Sequence, residues 1–188
     1  MSQERSVRTR ALLLHAAAEE FAARGYSGAR LATVVEHIGM TKGALYGHFS
    51  SKDELAAAVA HEATLAWETL RAELAAECLD PYKELRLLAE QLARLMDDDP
   101  LFGAAVRLAS DGFHGCVEQD LPSSVAAHIT RLVLRARQEG EPAQAFPSAI
   151  FADLVTAAIF AGTRSGLEPA GGSRTRLNGL WDLLGVGS

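Results

Sequence analysis

Nine consecutive residues, Thr41-Lys42-Gly43-Ala44-Leu45-Tyr46-Gly47-His48-Phe49, gather a hydroxyl, an ammonium, a phenol and an imidazole around an apolar pair. Leu45 and Phe49 stand four apart, so on a helix they share one face and anchor it. Thr41, Lys42, Tyr46 and His48 project elsewhere. Such groups hydrogen-bond phosphate oxygens and base edges, which is the chemistry of reading a nucleic acid. Gly43 has no side chain and lets the backbone approach a duplex closely. An interior glycine costs a helix about 0.5–1 kcal/mol relative to alanine. Gly43 and Gly47 in one short helix therefore fit a contact requirement that outweighs propensity; a frayed loop is the alternative.

The other reactive groups assemble into less. His114-Gly115-Cys116 brings a thiol near an imidazole, but in an expected loop and with no Asn or Asp to orient the pair. His15, His37, His61 and His128 lack metal-ligand spacings. Asp97-Asp98-Asp99 reads as a solvated helix end carrying an N-cap. No glycine-rich phosphate loop, nucleophile elbow or zinc signature occurs. The expectation is no enzyme activity, no cofactor and no metal.

A reading helix must be held by the element before it. Arg30 to Ile38 carries Leu31, Val34, Val35 and Ile38 and closes at Gly39. With the turn Gly39-Met40 and the helix from Lys42 to about His48, this is a helix-turn-helix pattern. Upstream, Val7, Ala11, Leu14, Ala18 and Phe21 recur at steps of three and four, and Gly25 follows where a helix end favours positive φ. Downstream, Ser51-Lys52-Asp53-Glu54 has capping-box form and opens a long helix over 51–78 with core positions Leu55, Val59, Ala66, Leu70 and Leu74. Asp80-Pro81, Asp99-Pro100, Pro122-Ser123 and Phe146-Pro147 mark further helix starts. They predict helices near 81–97, 100–109, 124–139 and 147–165, a last one near 174–184, and loops over 110–122 and 166–173. No run alternates as a strand does. The predicted class is all-α, about nine helices: a DNA-binding domain over 1–50, linked through the helix 51–78, and a ligand-binding and dimerisation domain over 51–188.

The chain has 188 residues, 48% hydrophobic and 22% charged, enough to bury a core without staples. Cys78 and Cys116 are too few for a disulfide framework. No apolar run approaches the ~18 residues of a membrane span, and the first ten residues lack the apolar stretch of a signal peptide. The expectation is a reduced, soluble, cytoplasmic protein with no membrane partner. A net charge of −6 hides an asymmetry. Residues 1–53 hold seven Lys and Arg against five Asp and Glu, a balance of +2; residues 54–188 hold eleven against nineteen, a balance of −8. The local footprint decides whether a phosphate backbone is attracted, although chance patterning of a solvated surface accounts for such a balance too.

Phe21-Ala22-Ala23-Arg24-Gly25-Tyr26, then Met40 to Tyr46, His48-Phe49, Lys52 and Leu55, resembles the DNA-binding domain of TetR-family repressors over about residues 5–60. The resemblance implies that Thr41, Lys42, Gly43, Tyr46 and His48 touch double-stranded operator DNA. It implies too that Lys52 holds phosphate and that Thr33 faces the backbone from the preceding helix. Gly47 departs from the pattern, which usually carries a larger residue there. Asp99 to Ala109, Gly162 to Gly171, Arg176-Leu177 and Trp181 are similar to the γ-butyrolactone autoregulator receptor branch. That likeness implies a repressor released by a small diffusible lactone or furan. True receptors of the branch place a pocket-lining tryptophan shortly after a Leu-Pro; here Leu121 to His128 has none, so a pseudo-receptor answering an antibiotic or its precursor stays open. So do a drug-responsive repressor of an efflux gene and a helical sensor that no longer binds DNA.

A helical effector domain takes small apolar ligands between its helices. Trp67, Leu88, Gln91, Leu92, Phe160 and Thr163 are the candidate lining, with plain core packing as the alternative for each. Ala157, Ala158, Ala161 and Gly162 let another helix come close, so the helices near 147–165 and 174–184 are expected to build a four-helix homodimer interface, with packing inside one chain as the alternative.

Overall fold

The computed structural model describes residues 2–113, 120–139, 147–161 and 171–184, and among these it contains nine helices and no strand. The helices are α1 (Ser2–Gly28), α2 (Leu31–His37), α3 (Lys42–Tyr46), α4 (Lys52–Ala76), α5 (Pro81–Asp98), α6 (Pro100–Ser110), α7 (Leu121–Gln138), α8 (Ser148–Phe160) and α9 (Ser173–Leu183). This is the all-α architecture that the periodicity predicts. Among the described residues no helix is long and apolar enough to cross a membrane. His114-Gly115-Cys116, Gly162 and Thr163 lie outside the described residues.

Helix boundaries follow from capping chemistry. Gly25 interrupts α1 at φ 66°, and Gly39 ends α2 at φ 64°. After Gly39 the chain closes a paired C-terminal cap, Met40 N–H donating to Val35 O (2.8 Å) and Gly39 N–H to Glu36 O (3.2 Å). Asp80 and Asp99 each cap a helix whose first residue is proline, accepting from Lys83 N–H (3.0 Å) and Leu101 N–H (2.9 Å). The helix expected from 124 begins three residues earlier. Asp120 accepts from Ser123 N–H (2.8 Å), which places Leu121 and Pro122 inside the first turn. The capping box at α4 is also displaced. Ser51 Oγ accepts from Glu54 N–H (3.0 Å) as predicted, but Glu54 reaches back to Ser50 N–H and Oγ, both at 2.6 Å.

The apolar side chains form two cores. The first joins Leu13, Phe21, Val34, Val35, Leu45, Phe49, Leu55 and Val59 with Ala104 and Leu108 of α6. The second holds Trp67, Leu74, Leu85, Leu88, Leu92, Val125, Ile129, Phe151, Val155 and Trp181, again with α6 residues, Phe102 and Val106. Helices α4 and α6 thus serve both. Burial of one such Leu or Phe contributes about 1.5–3 kcal/mol. On α4 the buried stripe steps through Leu55, Val59, Ala63 and Trp67 at intervals of four, whereas Ala66 and Leu70, expected in the core, are half-buried. The indole is too large to leave outside, and it turns the stripe towards itself.

Asp97 is not a solvated helix end. Its carboxylate accepts from Ser173 N–H (2.7 Å), Arg174 N–H (3.1 Å) and Arg174 Nε (3.1 Å), capping α9 from α5 where Gly172 offers no side chain. Burial opposes ionisation of Asp97, but these N–H donors and the Arg174 charge outweigh it and hold its carboxyl below the usual range. Asp99 does cap α6.

Candidate nucleic-acid interface

Helix α3 has five residues and a built N-terminus: Thr41 Oγ1 accepts from Ala44 N–H (3.2 Å). Its back is fixed, with Leu45 1% and Phe49 2% exposed in the first core beside Val34 and Val35 of α2. Its front is open. Thr41, Lys42 and Gly43 are exposed, and so is Tyr46, at 55%. His48 is half-buried, its ring tilted against Phe49 at 6.5 Å between centroids. The Lys42 ammonium has no partner among the described residues. Both reading-helix glycines have negative φ, and a Cβ at Gly43 would meet nothing nearer than Thr41 Oγ1 at 3.8 Å. A Cβ at Gly47 would touch only the carbonyls of Ala44 (3.4 Å) and Gly43 (3.5 Å). Neither glycine is demanded by packing inside the chain.

The flanking candidates are placed differently. Lys52 is half-buried; its ammonium donates to Ala29 O (2.7 Å) and sits 4.8 Å from the Tyr26 ring centre. It braces the α1–α2 turn with one of its three protons. Thr33 lines a groove of about 300 Å³ between α1 and α2 with Glu19, Glu20, Arg24 and His37. There His37 Nε2 lies 3.4 Å from Glu19, and the buried Glu20 accepts from Arg30 N–H (3.0 Å). Arg10, one of the seven cations in the basic N-terminal balance, lies over Phe49 (5.3 Å) and pairs with Glu62 (3.3 Å). Tyr26 was carried only as part of a motif, yet its hydroxyl donates to Asp53, and that bond holds its pKa above the ordinary phenol value. Both contacts join residues far apart in the chain, which periodicity does not register.

Of the effector candidates, Trp67, Leu88 and Leu92 meet in the second core and Phe160 packs against its edge; Gln91 is half-buried on α5. Trp67 Nε1 donates to Ser124 Oγ (3.1 Å), and the His128 ring meets the indole edge-on at 5.5 Å. Burial, then Arg131, Arg71 and Arg135, push the His128 pKa down to about 4. The imidazole is therefore neutral near pH 7, with Nδ1 positioned to accept from Arg131 Nη2 (3.3 Å). In the sequence His128 has no metal-ligand spacing and nothing else to single it out. On α8, Phe151, Ala152, Val155, Ala158 and Ile159 turn into the chain's own core. Ile150 (48% exposed), Leu154 (37%), Ala157 and Ala161 form an outer stripe, and Leu183 of α9 is 86% exposed.

Residues 13–59 match the sequence profile of the bacterial regulatory proteins, tetR family. The chain is 44% identical over 50 residues to the HTH-type transcriptional repressor AcnR of Corynebacterium jeikeium (strain K411), a match spanning 27% of this chain and 26% of that one. The structure superposes on a gamma-butyrolactone receptor (ArpA-like protein) with a TM-score of 0.80 and 29% identity, over 95% of this chain and 87% of that one. It superposes equally, at 0.80, on the TetR family protein CprB from Streptomyces coelicolor A3(2), with 34% identity over 96% of this chain and 88% of CprB. CprB is also known in complex with its biological operator sequence. A short helix with an open front and a fixed apolar back, within a helical chain this similar from end to end, places the protein in the TetR family of bacterial transcriptional regulators.

Proposed function

We propose that this chain is a ligand-responsive repressor: a homodimer that binds a near-palindromic operator in double-stranded DNA and is released by a small molecule. Residues 1–50 form the reading domain, joined through α4 to the effector and dimerisation domain. Thr41, Lys42, Gly43, Tyr46 and His48 meet the duplex, Lys52 offers its remaining protons to phosphate, and Thr33 approaches the backbone from α2. The observation that carries this reading is the front of α3, with an unpaired cation, an exposed phenol and two glycines that packing does not require. The effector enters among α4, α5, α7 and α8 by parting the core at Trp67, Leu88 and Leu92, with Gln91 and Phe160 at its edge; Thr163, the remaining candidate, lies outside the described residues. It is a γ-butyrolactone-like signal or, since Leu121 to His128 supplies a neutral imidazole and no tryptophan, an antibiotic or its precursor. Ligand stabilises a conformer whose reading helices are wrongly spaced, lowering operator affinity by its differential binding, typically about 1–3 kcal/mol.

The test is a mobility shift on the DNA upstream of the chain's own coding region at low salt. Lys42→Ala and Tyr46→Ala are expected to weaken binding about tenfold with helicity intact. Gly43→Ala is expected to weaken it while leaving the melting temperature equal or higher, because only the duplex needs that glycine. Parental binding in all three variants would remove α3 from the reading role.

A further inference from the structure

Helix α6 ends on a rigid cap. Gly112 N–H donates to Ala109 O (3.0 Å) and Phe113 N–H to Leu108 O (2.9 Å), with Gly112 at φ 82°. The Asp111 side chain, an acceptor only, takes no part in these two bonds. That side chain is spent elsewhere. Asp111 Oδ2 accepts from Tyr26 N–H (2.9 Å), 85 residues away, while Oδ1 is braced by Arg107 Nε (3.2 Å). Phe113, presented by the same cap, stacks on the Tyr26 ring at 4.9 Å. The approach is so close that a Cβ on Gly25 would lie 2.1 Å from Asp111 Oδ2, and Gly25 also holds φ 66°. Two independent demands thus fix glycine at 25.

The turn clasped in this way leads straight into α2. It is also held by Glu20 of α1 on Arg30 N–H and, from the start of α4, by Lys52 on Ala29 O and Asp53 on the Tyr26 hydroxyl. Helix α2 starts at Leu31 and carries α3 on Val34 and Val35. A turn that rotates would move both helices together.

We propose that Asp111 is a positioning residue for operator binding: from the end of α6 it sets the pose in which α2 and α3 meet the duplex. The inference rests on the operator reading above and adds to it a polar contact by which α6, besides its apolar packing through Ala104 and Leu108, holds the turn before α2. No titration or charge on DNA is involved, so the effect belongs to pose and not to phosphate attraction.

The experiment uses the full chain and a duplex that the unaltered protein selects from a random pool. Asp111→Ala is expected to lose at least tenfold in affinity for that duplex at a temperature where circular dichroism shows it folded. Its salt slope should stay parental, since no phosphate contact is lost. Asp111→Asn keeps an acceptor for Tyr26 N–H and is expected to recover affinity to within about threefold. Asp80→Ala removes a comparable cap from α5 and is expected to lower the melting temperature with operator affinity unchanged. Affinity of Asp111→Ala within twofold of the parent, or an Asn variant as weak as the Ala variant, overturns the proposal. If Asp111→Ala does not fold, Arg107→Ala decides: a loss of threefold or more supports the brace, and parental affinity overturns it. A parent that selects no duplex overturns the operator reading and this inference with it; a parent that binds while the variants match it overturns the inference alone.

Discussion

Side chains bordering the second core carry the most distinctive chemistry of the molecule, and His128 is the clearest case. It packs on Trp67, one turn beyond Ser124, with Arg131 and Arg135 on its own helix and Arg71 facing it from α4. Arg71 is paired with Glu68, and Arg135 with Glu84 of α5. The folded pKa of about 4 lies below the ordinary 6.5. Between those values the unfolded chain binds more protons than the folded one, so stability rises with pH across that window and falls on acidification. In thermal melts the parent is expected to lose several degrees more than His128→Gln between pH 7 and pH 5; superimposable pH curves would contradict this. None of it was legible in the sequence, which shows an isolated histidine and gives no sign of Trp67 across the helix interface. The residues that anchor α3 fared otherwise. Leu45 and Phe49 sit where a four-residue spacing puts them, because α3 is too short to turn its face elsewhere.

At the scale of elements, the helix starts were legible wherever an aspartate precedes a proline, because that chemistry is local. The cap on α9 was not, since its acceptor, the Asp97 carboxylate, lies on α5, 76 residues upstream of Ser173. Asp97→Ala is expected to cost about 1–2 kcal/mol, as lost caps do, lowering the melting temperature by a few degrees. The folded carboxyl has a pKa below its ordinary 3.8. Its contribution is therefore complete above that value and disappears as pH falls through the lower folded one. Parent and Asp97→Ala melts are thus expected to converge in strong acid and to stay apart at neutral pH; a constant gap down to pH 2 would deny the cap its ionic part. Helix α4 shows the other limit of periodicity. Its apolar residues are dense enough to support more than one stripe, and only the volume of Trp67 decides which stripe is buried.

For the molecule as a whole, two cores share α4 and α6, so a movement in one half has two solid routes into the other. The outer stripe Ile150, Leu154, Ala157 and Ala161 is apolar and exposed in the single chain. A second copy placed on it would relate two reading helices by a two-fold axis, about 34 Å or a multiple apart along a duplex. Leu154→Glu is expected to give a folded monomer that binds DNA far more weakly than the parent. The most direct measurement is a hydroxyl-radical footprint of the unaltered chain on its selected duplex, with the number of chains per duplex determined by sedimentation. The expected result is two chains and two protected half-sites on one face, about 10 base pairs or a multiple apart, both lost together in Lys42→Ala. One chain on a single unpaired patch, or no protection at low salt, would contradict it.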